Sequence, residues 1–209
     1  IELIDSNNNN ILMSQSSACL AYFGNKFKLL GNNKYEESDC FQLLLETVDL
    51  RNIITSFAYT HYENKELELK AANEVFNKAF ENNNTGKLQK FEHWLSKKNK
   101  DNMFLINDKP TIPDFNFFDI LDFYLEFVKY YNFITNKNNK NIFQELEYPN
   151  ISNFYNNFIE LPKMQKYLNS IFYKLPYTNK SARFGSGIKG DTWNHTSQID
   201  ETPLEIIIN

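Results

Sequence analysis

Cysteine is scarce in this 209-residue chain, and its scarcity excludes two classes of protein. Cys19 and Cys40 are the only two cysteines, and both lie within apolar patterns typical of helices. A disulfide scaffold needs several cysteine pairs and a structural zinc site needs four ligands, so these residues favour neither. We therefore expect a protein of a reducing compartment, the cytoplasm.

The chain also has no excess of basic charge. It carries 22 Lys and Arg against 26 Asp and Glu, a formal net charge of −4. Binding to nucleic acid depends on clustered Lys and Arg, so no nucleic-acid partner is predicted. His61, His93 and His195 are scattered, without a carboxylate or second histidine at a ligand or triad spacing, which predicts no metal site and no imidazole catalysis.

Long apolar runs are missing as well. No stretch approaches the roughly 20 apolar residues that cross a bilayer, so no membrane association is predicted. What the chain does have is 42% hydrophobic and 16% aromatic residues, enough for a packed core. Asparagine runs at 7–10 and 82–84 are interpreted as loop filler, and a functional amide ladder is the sharper alternative.

The first 31 residues predict two strands and a helix. Short apolar pieces at 1–5 and 11–13 flank the first asparagine run, which indicates a β-hairpin. A helix opens at residues 14–17 and continues with apolar residues at three- and four-residue spacing, and Gly31 marks its predicted end. This unit is too small to be stable without further packing.

Helices dominate the rest. The apolar spacing predicts helices over 35–59, 67–80, 86–97, 111–128, 151–161 and 162–173, which favours a helical bundle. Thr111 and Asp114 predict a capping box at the start of the fourth of these helices, with Pro113 in its first turn. Beyond Pro176, a glycine-rich stretch predicts an extended arm or a flexible tail.

Four motifs follow one another in an order that resembles cytosolic glutathione S-transferases, particularly the mu, sigma and related tyrosine-type classes. The first motif is Leu12 to Ala18, where Gln-Ser stands, and the second is Asp49 to Asn52, which has the pattern Asp-x-Arg. The third is Phe104 to Leu121 around the capping box, and the fourth is Pro149 to Leu168. The resemblance covers about residues 1–183. It begins in the middle of the family's thioredoxin-like domain, at its third strand.

The resemblance implies a mainly α fold, in which the family's C-terminal helical bundle follows a partial thioredoxin-like α/β unit of strand, strand and helix. The expected divisions are a glutathione-binding unit at 1–31, an all-helical domain at 32–176 and a tail at 177–209. The family's thiol-activating Tyr or Ser and its cis-proline have no counterpart here. No catalytic residue is therefore identified, and we expect conjugating activity to be impaired.

The resemblance also implies the binding residues. Gln15 and Ser16 would hold the γ-glutamyl end of glutathione, and the alternative is that Ser16 only caps the helix. Asp49 would reach across a dimer interface to the partner's glutathione, and the alternative is an ordinary helix carboxylate. Tyr59 lies where mu-type enzymes place a tyrosine that assists the electrophile, although a core or surface role is open too. Arg51 is predicted to pair with a nearby carboxylate.

Two functional hypotheses follow. The first is a glutathione transferase that conjugates glutathione to electrophilic small molecules for detoxification, with glutathione as co-substrate and no cofactor. The second is a non-catalytic module that uses its helical domain to bind other proteins. A homodimer is allowed by the resemblance, but Ala21 stands where many family members have an interface arginine.

Overall fold

The computed structural model describes residues 2–4, 10–80, 86–98, 103–137, 142–145, 148–179 and 181–185. In chain order its elements are β1 (Glu2–Ile4), β2 (Asn10–Leu12), α1 (Ser16–Lys26), α2 (Lys34–Tyr59), α3 (Lys65–Phe80), α4 (Lys87–His93) with a π-helical turn (Trp94–Lys98), α5 (Ile112–Thr135), α6 (Ile142–Glu145), α7 (Pro149–Glu160) and α8 (Pro162–Leu168). The mainly α fold predicted from the sequence is confirmed.

The predicted hairpin is present. Strands β1 and β2 pair antiparallel, with Glu2 opposite Leu12 and Ile4 opposite Asn10. Residues 7–9 and 82–84 of the asparagine runs, which were predicted to be loops, and the predicted tail from residue 186 lie outside the described residues.

The predicted end of α1 at Gly31 was wrong. The helix ends at Lys26, because Lys28 adopts a left-handed conformation with φ of 57°. The amides of Lys28 and Leu29 then donate to the carbonyls of Asn25 (3.2 Å) and Gly24 (2.7 Å), the paired bonds of a Schellman motif. Gly31, with φ of 89°, instead belongs to the turn that leads into α2.

Helices α2 and α5 form the centre of the bundle and run parallel to each other. Asn116 donates to Thr47 near the start of the pair, the Tyr124 hydroxyl donates to the Leu50 carbonyl (2.8 Å), and Phe57 meets Phe127 edge to face further along. Both helices are covered by neighbours, so the core is a single cluster rich in buried aromatic rings.

The predicted capping box at the start of α5 is confirmed. The amide and hydroxyl of Thr111 both donate to Asp114 Oδ2 (2.7 and 2.6 Å), and the Leu105 amide donates to Oδ1 (2.8 Å). Burial raises the pKa of Asp114 to about 6, although the three hydrogen bonds act in the opposite direction. α5 continues to Thr135, about two turns beyond the predicted end at residue 128.

The beginning of the predicted tail is packed rather than loose. Residues 177–179 and 181–185 lie against α2, α3 and α5, and Phe184 is fully buried. The Thr178 hydroxyl donates to the Phe184 carbonyl (2.5 Å) and the Thr178 amide donates to the Gly185 carbonyl (3.1 Å). We call residues 181–185 the C-terminal clasp, and its packing places the core boundary beyond residue 176.

Candidate functional site

The N-terminus of α1 presents free backbone amides to solvent. Its first helical hydrogen bond runs from the Cys19 amide to the Gln15 carbonyl (3.0 Å), so the amides of residues 16–18 have no acceptor within the helix. No acidic residue occupies the first turn, so the positive end of the helix dipole is not neutralised from within. Ser14, Gln15 and Ser16 are all exposed, and this end of the helix can attract an anion.

Gln15 has a strained backbone. Its φ of 70° and ψ of 116° lie outside the regions that side chains with a Cβ favour. Gln15 itself occupies the cap position, and no side chain makes a capping hydrogen bond there. Ser16 is the first helical residue, so the alternative in which Ser16 caps the helix was wrong.

Asp49 lies on an exposed face of α2. Its side chain is 56% exposed and accepts from Lys87 Nζ at 3.2 Å, an exposed pair of the kind that contributes about 1 kcal/mol or less. Phe41 and Leu45 precede Asp49 at four-residue spacing and are 37% and 61% exposed. Asp49 therefore shares a face with exposed apolar side chains, as its predicted role at an interface requires.

Arg51 pairs with Asp119 of α5, as predicted for a structural arginine. This ion pair joins the two central helices. The pair is partly exposed and therefore stabilises the fold only weakly. We interpret it as a contact that sets how α2 and α5 lie against each other, and not as part of a ligand site.

Tyr59 is the last residue of α2 and is 45% exposed. At about 1.5 Å and 100° per residue, it lies roughly 15 Å along the axis from Asp49 and roughly 80° around it. Within the described residues, no hydrogen bond or ion pair joins Asp49, Tyr59 or the Gln15–Ser16 pair to one another. Within one subunit, the predicted site residues therefore do not lie together around a single ligand group.

Asp122 is a buried polar centre that the sequence did not reveal. Its carboxylate accepts from the hydroxyls of Tyr155 of α7 and of Tyr173 (2.8 Å) and Tyr177 (2.7 Å) in the turns after α8. Burial raises the pKa of Asp122, while the three tyrosine hydroxyls lower it and nearby Asp119 raises it further. The cluster ties α5, α7 and the C-terminal turns together.

An aromatic cavity of about 400 Å³ lies between α5, α7 and α8. Phe115, Phe118 and Phe158 form much of its wall, and Asp122 and Tyr167 add polar groups. Gln15, Ser16, Asp49 and Tyr59 do not line it. Among the described residues, no three His, Cys, Asp or Glu side chains are grouped to hold a metal ion, and no helix there is long and apolar enough to cross a bilayer.

Comparison with known proteins identifies the fold and its relatives. A family model described as "Glutathione S-transferase, C-terminal domain" matches residues 48–171. The chain belongs to the glutathione S-transferase family. Within this chain, the matched region runs from the middle of α2 to the turns after α8, so the helical bundle is the family's C-terminal domain.

Two curated relatives of this chain carry the family's name. Both are described as the class-mu 26 kDa isozyme of Schistosoma mansoni. They are 32% identical over 178 residues and 30% identical over 177 residues, which is 85% and 84% of this chain. The chain spans about two thirds of their length, 66% and 68% respectively.

Solved structures of the family share the fold of this chain. The glutathione S-transferase Blo t 8 superposes with a TM-score of 0.70 at 20% identity, over 88% of this chain and 74% of that one. A Pi-class enzyme of Onchocerca volvulus superposes with a TM-score of 0.60 at 21% identity, over 84% and 73%. At these identities the similarity concerns the fold alone.

Proposed function

We propose that the protein is a glutathione transferase that conjugates glutathione to electrophilic small molecules, and that Gln15 and Ser16 bind the γ-glutamyl end. The observation that carries the proposal is the exposed N-terminus of α1, where free amides follow a strained Gln15. Family membership supports the transferase class. Buried free cysteines agree with our further proposal that it acts in the cytoplasm.

The chemistry of the γ-glutamyl group matches what α1 offers. This group carries a carboxylate and an ammonium on one carbon. The free amides of residues 16–18 and the Ser16 hydroxyl donate to the carboxylate, and the helix dipole favours the negative charge there. The Gln15 side-chain carbonyl accepts from the ammonium. The conformation of Gln15 costs free energy, and such strained residues are concentrated at functional sites.

Asp49 completes this site from a second subunit in the proposed homodimer. Phe41 and Leu45 lie exposed on the face of α2 that also carries Asp49, and burying them against a partner stabilises the dimer. Lys87 holds Asp49 only weakly at the surface. The carboxylate is then free to exchange this partner for the ammonium of glutathione bound to the other subunit.

Tyr59 acts on the electrophile in this proposal. Its phenol is exposed at the end of α2 and can donate to negative charge that develops on oxygen when the sulfur attacks an enone or an epoxide. Both substrate classes generate an oxyanion.

Isothermal titration calorimetry of the chain with glutathione tests the site without requiring turnover. S-methylglutathione should bind about as well, because the proposed contacts avoid the thiol, whereas cysteinylglycine should not compete because it lacks the γ-glutamyl group. Gln15→Ala should weaken binding about 10- to 100-fold, since hydrogen bonds to charged groups contribute about 1.5–3 kcal/mol. Ser14→Ala, one residue before Gln15, is the matched control and should bind normally.

Equal affinity of Gln15→Ala and Ser14→Ala would contradict the assignment of the site. No heat with millimolar glutathione, together with a stable protein complex in pull-down, would favour the non-catalytic module instead.

The contribution of Asp49 is tested by mixing variants. Gln15→Ala and Asp49→Ala subunits each have a damaged site, but a heterodimer restores one complete site because the two residues come from different chains. Mixing should therefore recover about a quarter of the wild-type binding sites at equal amounts of random pairing. Leu45→Glu should abolish both the dimer in light scattering and the recovery. Recovery without a dimer would refute the proposed arrangement.

A further inference from the structure

The end of α2 exposes carbonyl groups that need partners. The last carbonyls of a helix receive no hydrogen bond from an amide within the helix. Here the Ser56 carbonyl accepts from the Thr60 hydroxyl (2.6 Å) and the Phe57 carbonyl from the Thr60 amide (3.4 Å). The last turn of α2 contains no basic residue of its own to balance the negative end of the helix dipole.

Arg183 of the C-terminal clasp supplies the missing donors and charge. Its backbone amide donates to the Ala58 carbonyl (2.9 Å), and its Nε donates to the Thr60 carbonyl (2.8 Å). These two carbonyls belong to the residues on either side of Tyr59. One residue, more than 120 positions away in the sequence, thus holds the backbone before and after Tyr59.

Arg183 is itself held firmly. Its Nη1 donates to Glu68 Oε1 at 2.8 Å, and both side chains of this pair are largely buried, at 13% and 16% exposed. Its guanidinium lies 4.4 Å from the centre of the Tyr62 ring, a cation–π contact. Glu68 also accepts from the Tyr130 hydroxyl, so α3 and α5 both fix the position of the guanidinium.

Only an arginine can make all of these contacts. The planar guanidinium directs Nε at the Thr60 carbonyl and Nη1 at Glu68 at the same time, whereas a lysine has one nitrogen. The chain contains two arginines: Arg51 of α2 pairs with Asp119 of α5, and Arg183 of the clasp pairs with Glu68 of α3.

We propose that Arg183 is a positioning residue for Tyr59: it fixes the backbone on both sides of this tyrosine and so aims the phenol at the electrophile. The proposal rests on the role given to Tyr59 in the proposed function. Without Arg183 the last turn of α2 frays, and the phenol samples several directions instead of one.

The test is fluorine NMR of the chain with 3-fluorotyrosine incorporated only at position 59. The unsubstituted Arg183 protein should give one narrow resonance. Arg183→Lys keeps the positive charge, the backbone amide and an ion pair with Glu68, so its melting temperature should stay close to that of the parent. Because it loses the donor to the Thr60 carbonyl, its fluorine resonance should broaden or split.

Arg51→Lys is the matched control, since it changes the chain's other arginine, which lies on α2 eight residues before Tyr59 and pairs with Asp119, and it should leave the resonance unchanged. Arg183→Ala should broaden the signal further, and if it does not fold, Arg183→Lys decides alone. A resonance of unchanged position and width in Arg183→Lys would overturn the proposal. Failure of glutathione binding in calorimetry would instead refute the proposed function, because the fluorine signal requires no ligand.

Discussion

Phe184 of the C-terminal clasp should be one of the residues on which stability depends most. Its ring is fully buried and lies 5.4 to 6.2 Å, centre to centre, from the rings of Phe57, Phe123, Phe127 and Tyr130. Phe184→Ala would leave a cavity among four rigid aromatic rings that cannot easily close. We therefore expect the substitution to be strongly destabilising.

The expected loss can be set from the packing. Truncating a buried phenylalanine to alanine costs about 3–5 kcal/mol, and aromatic pairs add about 0.5–1.5 kcal/mol each beyond the area they bury. Phe184 belongs at the upper end of the first range. With a urea dependence of about 1–3 kcal/mol per molar, the unfolding midpoint should fall by roughly 2 M.

Urea unfolding followed by circular dichroism measures this loss. Phe172→Ala is the matched control, because Phe172 lies in the same C-terminal region but is 47% exposed and should change stability by about 0.5 kcal/mol or less. A chain ending at residue 176 should lose at least as much as Phe184→Ala. If Phe184→Ala unfolds within about 0.5 kcal/mol of the parent, the clasp does not belong to the core and the reasoning fails.

Three further outcomes are expected. Gln15→Gly should raise the unfolding free energy by about 1 kcal/mol, because glycine tolerates a positive φ. The same substitution should lower the affinity for glutathione in calorimetry. A loss of stability would contradict the inference that the Gln15 backbone is strained. Since the pKa of Asp114 is raised to about 6 from an ordinary 3.8, the folded chain binds the extra proton between these values. Its unfolding free energy should therefore fall as pH rises from 4 to 6, a slope that urea titrations should find reduced in Asp114→Asn. Gly24→Ala should lower the thermal midpoint despite better helix propensity, because its Cβ would lie 2.7 Å from Ile112 Cγ2 and from Leu30 Cδ2; an unchanged or higher midpoint would show that α1 can shift.

Local signals explain which parts of the fold could be predicted. Thr111 and Asp114 are three residues apart and contact each other directly, so the sequence contains the whole capping motif. The long apolar periodicity of α2 likewise located both of its ends within a residue or so. The end of α1 failed because Lys28 takes a left-handed conformation normally left to glycine or asparagine.

Contacts between distant residues explain what could not be predicted. The hydroxyl donors to Asp122 come from positions 33, 51 and 55 residues later in the chain, and no spacing rule connects them. Arg183 lies beyond Pro176 and just before the glycine-rich stretch that begins at Gly185, so it was predicted to belong to the tail.

The candidate site also contains features that could be predicted from the sequence and features that could not. Gln15 and Ser16 could be placed at a helix start from local pattern and resemblance, but the strain at Gln15 was visible only in the structure. Their assignment to glutathione, like those of Asp49 and Tyr59, stays a prediction. For Asp49 the reason is physical, because its proposed ligand is bound by another copy of the chain.

The parallel arrangement of α2 and α5 also has a consequence for how the chain folds. Residues that bond across these helices are 68 to 74 positions apart, whereas an antiparallel helical hairpin brings near neighbours together. Closing such a large loop delays the central contact, so folding should be slower than in bundles of simple hairpins. During synthesis at about 5–20 residues per second, the residues of α5 that contact α2 are made roughly 4 to 14 seconds after α2 itself. We therefore expect the apolar face of α2 to stay open to chaperones until α5 has been made.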